Sequence, residues 1–142
     1  MNAPAARSGP GGPIGRLGFI AGQVVQELGY DDDIDHEWRA DLVDVVGAEF
    51  EYDDFTGVAD VVVLWWREGD GDLTDALVDA LINLADDASI VLLTPKRGRE
   101  GDVDAADIEE AAVTAGLHPT GTVNAGAHWC AQRLVPPKSA RR

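Results

Sequence analysis

Three groups of side chains in this 142-residue sequence have the type and spacing to do chemistry. Asp31, Asp32, Asp33 and Asp35 crowd four carboxylates into five positions, enough oxygen to begin a divalent-cation loop. His36 stands where a calcium loop needs glycine and Leu42 where it needs its closing glutamate, so the run reads instead as the loop and N-cap of a helix. Asp70 and Asp72 are read the same way. Lys96, Arg97 and Arg99 form a basic cluster inside the domain and offer an anion site; the bland account is a solvated loop balancing Glu100, Asp102 and Asp104. Trp65, Trp66 and Arg67 end an apolar run. Strand alternation sends one indole to each face, so one is core and the other could line a pocket, stacking on a planar ligand or on Arg67. Trp129 could do the same, or bury in a dimer seam.

Other chemistries lack their residues. His36, His118 and His128 are far apart, none has metal-ligand spacing with Cys130, and no Ser/His/Asp arrangement or P-loop is present. No metal site is expected. Cys130 reads as a small buried residue.

The elements that position these groups follow from periodicity. Ala59 to Trp66 and Ser89 to Leu93 are continuous apolar runs, the pattern of parallel strands covered on both faces. Between them Asp72 caps a helix whose inner stripe is Leu73, Leu77, Ala80, Leu81 and Leu84. A right-handed crossover is expected there. Gly22 to Gly29 fits a strand or a helix face, and the strand is preferred because the aspartates after it look like a cap. The next helix spans about Ile34 to Val46, with stripe Ile34, Trp38, Leu42 and Val45, and Gly47 ends it. Ala48 to Tyr52 is read as a short strand and Asp53 to Gly57 as a loop. A third helix starts after Asp104, buries Ile108, Ala111, Ala112 and Ala115, and stops at Gly116. Thr120 to Val123 and His128 to Val135, joined through Asn124-Ala125-Gly126, read as a terminal hairpin.

Length allows one domain with a real core. Residues 1–13 read as a disordered tail without the apolar centre of a signal peptide, 14–137 as one α/β domain and 138–142 as a basic tail. No apolar run approaches the ~18 residues of a membrane span. A single cysteine fits a reducing cytoplasm. The formal charge of −15 argues against nucleic acid and anionic membrane as partners. It serves solubility, or a basic protein partner or divalent cations.

The stretch Arg16 to Gly29 resembles the opening of class I S-adenosylmethionine-dependent methyltransferases, where a glycine precedes a first strand ending in an acidic residue, an apolar residue and glycine. Asp60 to Trp66, Asp72 to Leu84, Ser89 to Pro95 and the hairpin resemble the second half of that fold. The whole pattern over about 14–137 is also similar to a short, acidic actinobacterial family of unknown function. The residues carrying that likeness are Val25-Gln26-Glu27-Leu28-Gly29-Tyr30-Asp31, Leu64-Trp65-Trp66-Arg67, Asp72-Leu73, Leu93-Thr94-Pro95-Lys96 and Arg133-Leu134.

The resemblance implies a three-layer, Rossmann-like α/β fold: a mainly parallel sheet with a C-terminal antiparallel hairpin, a shortened methyltransferase. It implies S-adenosylmethionine as cofactor, but two departures set the expectation at no cofactor. The glycine-rich loop that lets a cofactor approach backbone is replaced by Tyr30-Asp31-Asp32-Asp33, whose charge repels the cofactor's carboxylate. The segment between Gly47 and Asp60 is too short for a further helix and strand. In the resembling fold the strands ending at Gly29, Trp66 and Thr94 are neighbours, so their loops converge on one rim. A candidate ligand pocket there combines Glu27, Gly29, Tyr30, Asp31, Trp65, Trp66, Arg67, Thr94, Lys96 and Arg97, with no catalytic residue assigned. The competing outcome is that the basic loop pairs with the acidic one and closes the cleft. The expected function is a non-catalytic cytoplasmic binding or regulatory protein on a degenerate methyltransferase-like scaffold. An S-adenosylmethionine- or nucleotide-dependent enzyme with an atypical cofactor loop is the first alternative, and a structural partner subunit of a complex the second. The expected partner is a small molecule or protein, and a homodimer is compatible.

Overall fold

The apolar runs become the inner strands of a five-stranded sheet. The computed structural model describes residues 13–136, so the two expected tails lie outside it apart from Pro13. In chain order the elements are α1 (Pro13–Arg16), β1 (Val25–Leu28), α2 (His36–Val46), β2 (Ala59–Trp65), α3 (Leu73–Ala80), β3 (Leu84–Pro95), α4 (Ala105–Thr114), β4 (His118–Asn124) and β5 (Trp129–Val135). The strand order is β1-β2-β3-β5-β4. β1, β2 and β3 are parallel, in registers that set Val25 beside Val61 and Trp65 beside Leu93. β5 runs antiparallel to both β3 and β4.

Helices cover both faces, which is why β2 and β3 are apolar without alternation. On one face α1 and α2 bury Ile14, Trp38, Leu42 and Val46 against Val25, Val61, Val63, Trp65 and Val91. On the other α3 and α4 bury Leu73, Leu77, Ala80, Ile108 and Ala112 against Val62, Leu64, Ile90 and Leu92. Each of these three longer helices starts on an aspartate whose carboxylate accepts a backbone N–H of the first turn. Asp35 takes Trp38, Asp72 takes Asp75 and Asp104 takes Ala106. Gly47 closes α2 at φ 84°, a left-handed conformation that favours glycine.

The structure corrects several boundaries. The expected strand at Ala48 to Tyr52 is a single bridge between Glu51 and Gln26, beside β1. It stops there because the Tyr52 carbonyl accepts from Phe55 N–H and Gln26 Nε2 and turns the chain away. β3 begins at Leu84 rather than Ser89. Leu84 therefore pairs with Ala59 and is not on the α3 stripe, which ends at Ala80 with Leu81 half-buried at the C-cap. β2 ends at Trp65, leaving Trp66 just beyond it. On α2 the last turn buries Val46, with Val45 half-buried. β4 starts two residues early, at His118, and β5 one residue late, at Trp129.

Leu77 is fully buried beneath α3, whereas Leu81 is at its fraying end. Leu77→Ala is expected to cost about 2–5 kcal/mol and Leu81→Ala clearly less, read from urea midpoints. Equal losses would mean the helix is phased differently.

Candidate functional site

The carboxyl ends of β1, β2 and β3 form the rim where an open α/β sheet binds ligands. Glu27, near the end of β1, faces α2, and its side chain is fully buried. A bare carboxylate there would carry a heavy desolvation penalty. Arg39, one residue past the buried Trp38 on α2, answers it with a fork. Nε lies 3.0 and 2.9 Å from the two carboxylate oxygens and Nη2 2.7 Å from Oε1. The indole N–H of Trp65 donates to Oε2 at 2.9 Å. The Glu27 hydrogen bonds raise the Arg39 pKa, and burial opposes this. Arg39 also lies over the rings of Phe50 and Tyr30, at 4.9 and 5.5 Å.

Above this pair the rim is covered. Arg67, two residues past β2, reaches across to the loop after β1. It donates to the Gly29 carbonyl at 3.0 Å and to both Asp33 carboxylate oxygens at 2.9 and 2.7 Å. Asp70 braces the same guanidinium at 3.3 Å. Arg67 lies 5.3 Å over Trp129, whose indole N–H donates to the Asp33 carbonyl. Trp129 meets Trp65 edge-on at 5.0 Å, and Trp65 meets Trp38 at 5.7 Å. Gly126, in the β4–β5 turn, packs on the Asp35 carboxylate. The hairpin, the aspartate loop and the end of β2 are thus held as one lid of protein.

The structure therefore distributes the expected pocket residues as follows. Glu27, Gly29, Trp65 and Arg67 come together, but through contacts with one another. Gly29 is at φ 78°, and a Cβ there would collide with the Trp65 carbonyl, so the glycine serves close strand approach. Trp65 is core. Trp66 is half-buried on the opposite face, against the α3 side. Tyr30 is half exposed and edge-on to His36. Asp31 caps the N–H of Asp32. Thr94 is buried, paired with Cys130 on β5. Lys96 is fixed by its N–H to the His128 carbonyl, and Arg97 projects into solvent. Neither forms an ion pair with the aspartate loop. Arg67 does that in their place. Among the described residues no three His, Cys, Asp or Glu side chains are grouped to hold a metal ion.

Arg39 was absent from the sequence expectation, and Trp38 was expected only as a core residue of the helix stripe. The signal was available in part: an acidic residue inside a doubly covered strand demands a cation, and the next helix carries only one.

A family model described as a protein of unknown function (DUF3052) matches residues 14–138. The chain belongs to that family. Uncharacterised proteins of Mycobacterium tuberculosis and Mycobacterium bovis are each 51% identical over 124 residues, covering 87% of this chain and 78% of theirs. Among solved structures the fold is similar to an S-adenosylmethionine-dependent methyltransferase of Aquifex aeolicus (TM-score 0.62, 10% identity, 95% of this chain and 94% of that one). It is also similar to a methyltransferase of Pyrococcus furiosus (TM-score 0.55, 11% identity, 86% and 79%). A third neighbour is CalO1, a methyltransferase of calicheamicin biosynthesis in an SAH-bound form (TM-score 0.61, 15% identity, 94% and 52%). These likenesses show the expected methyltransferase-like, Rossmann-like fold. No helix among the described residues is long and apolar enough to cross a membrane.

Arg39→Ala leaves Glu27 buried without its cation and is expected to cost about 3–5 kcal/mol, read by chemical unfolding. A loss of a few tenths would place Glu27 in contact with water. For the outer pair, the Arg67 hydrogen bond holds the Asp33 carboxyl below its ordinary range, with burial opposing and the Arg67 charge assisting. A depressed folded pKa gives stability that is fully present above the unfolded value of about 3.9 and lost as pH falls through the folded one. The midpoint gap between wild type and Asp33→Asn should therefore be constant near neutrality and close below about pH 4. A gap that widens on acidification would reverse the assignment.

Proposed function

We propose that the protein is a non-catalytic, cytoplasmic binding or regulatory protein whose methyltransferase-like fold no longer holds the cofactor of its structural neighbours. One observation carries this reading. The positions at the end of β1 that the resembling fold turns toward its cofactor are occupied here by the protein's own side chains. Both Glu27 oxygens are taken by Arg39 and Trp65. The glycine that follows is closed onto the Trp65 carbonyl. The Arg67 guanidinium lies over the joint between β1 and β2, bound to Gly29 and Asp33.

S-adenosylmethionine does not fit that arrangement. Its carboxylate would meet exposed Asp31 and Asp32. Seating it would break a buried ion pair and pull Arg67 from its partners. No chemical step is derived through it. The lone, half-buried Cys130 is consistent with a reducing compartment.

Titration calorimetry with S-adenosylmethionine and S-adenosylhomocysteine tests the reading. No saturable heat is expected up to millimolar ligand, and no thermal shift. A one-to-one complex of micromolar affinity would return the protein to the cofactor-dependent enzymes. At ~100 times its dissociation constant such a ligand adds about 2.7 kcal/mol of stability, which a melting curve would register.

A further inference from the structure

The opposite end of the sheet is open. Between the pairs Ala59–Leu84 and Val61–Ser89, β2 contributes one residue, Asp60, and β3 contributes four, Ala85 to Ala88. The surplus bows out as a bulge, a device that re-aims a strand where pairing ends. Under it lies a groove of about 350 Å³, between the bulge and the loop from Ile20 to Gln23. Its walls are small: Ala21 and Gly22 on one side, Ala85 and Ala88 on the other. Its charged groups are Asp60 and Asp87, and no lysine or arginine lines it. Asp60 is held in place because its Oδ2 accepts the Val24 N–H at 2.8 Å.

The groove sits beside uncovered aliphatic surface. Ile82 is 74% exposed, Val58 65%, Ile20 62% and Val24 38%. They gather at one end of the molecule. Asp60 N–H donates to Val24 and Ala59 N–H to the Asn83 carbonyl, so Val58 and Ile82 flank bonded neighbours. Large aliphatics rimmed by polar groups mark protein contact surfaces.

We propose that this amino-terminal groove docks an arginine or lysine presented on an apolar segment of a partner protein. The alanine walls accept the aliphatic stem of such a side chain while its head meets Asp60 and Asp87. Ile20, Val24, Val58 and Ile82 pack against the partner's apolar residues and exclude water from that contact, as the surround of an anchor residue does. The charge of −15 steers a basic partner toward the protein. The groove is at the opposite end of the strands from the closed rim, so it stands or falls independently of whether that rim binds S-adenosylmethionine.

The test uses the full chain, ¹⁵N-labelled, and a synthetic peptide of about nine residues alternating leucine and arginine. Leucine–citrulline and glycine–arginine peptides serve as controls. Shift changes are expected at residues 20–24, 58–60 and 82–88, with both controls at least tenfold weaker. Asp87→Lys and Ile82→Glu, both at exposed positions, should each weaken binding tenfold or more. Glu68→Lys, the same charge change on the exposed loop after β2 at the opposite end of the strands, should leave the affinity within about twofold. Equal weakening by Glu68→Lys, or equal binding of the glycine–arginine peptide, would reduce the contact to diffuse attraction and overturn the proposal. So would no binding at millimolar peptide. A dimer in sedimentation that Ile82→Glu dissociates would assign the face to a second copy of the chain instead.

Discussion

A carboxylate that never meets water sets the terms for the rest of the molecule. Glu27 faces α2 from β1, where a cation with fork geometry can meet both oxygens and offset the charge. Arg39 supplies it, and in doing so fixes the rotation of α2 about its axis. Trp38, the preceding residue, must then meet Trp65, and Trp65 must meet Trp129. Against well-packed apolar residues such an ion pair adds little net stability. Its value is discrimination. Sliding β1 by one residue against β2 would turn Glu27 toward the α3 and α4 face, a cluster of alanine, valine, leucine and isoleucine with no cation. That register is strongly excluded, and the correct one is pinned.

The same pair explains why the rim is shut. With Trp65 drawn down to Glu27, its carbonyl lies under Gly29, and the end of β1 closes on β2 instead of standing open. Arg67 leaves β2 directly above that joint. Nearest to it are the Gly29 carbonyl and the Asp33 carboxylate. The aspartate loop thus supplies a helix cap through Asp35 and a counter-ion through Asp33, from side chains two residues apart. A fold shared with methyltransferases says nothing by itself about a site that its own side chains have filled.

Sequence alone carried the architecture because its signals are local. Unbroken apolar runs, aspartate caps and closing glycines each act within a few residues, and the two inner strands, three longer helices and hairpin followed from them. The site did not follow, because its contacts are made between distant positions. Glu27 and Arg39 are 12 residues apart, Asp33 and Arg67 34, and Asp33 and Trp129 96. Lys96, Arg97 and Arg99 drew attention as a cluster. What decides a partner is which strand ends lie side by side, and β3 separates from β1 by the whole width of β2. Lys96 emerges beside the hairpin, Arg67 beside the aspartate loop. The short strand expected at Ala48 to Tyr52 failed for a comparable reason: Phe55 N–H closes a turn on the Tyr52 carbonyl, which also accepts from Gln26 Nε2, and the chain leaves β1 after one bridge. The bulge in β3 left no trace in an apolar count, since alanine and aspartate from 85 to 88 read equally well as loop.

An open parallel sheet ordinarily concentrates its ligand chemistry at the carboxyl end, where loops diverge at the switch in strand order. Here that switch survives only in outline. From β1 the chain steps outward to Glu51, makes one bridge, and returns across β1 to β2. With no full strand on the outer side the loops have little to diverge around, and Arg67 spans what gap remains. The amino end has the reverse balance. Its strands begin unevenly, one of them bulged, and its aliphatic residues are left outside both cores. Exposed isoleucine and valine at one end of so acidic a surface would favour self-association if charge did not oppose it. The fold has kept its layers, and this exposed aliphatic surface lies at the amino end of the strands, opposite the rim that Arg67 spans.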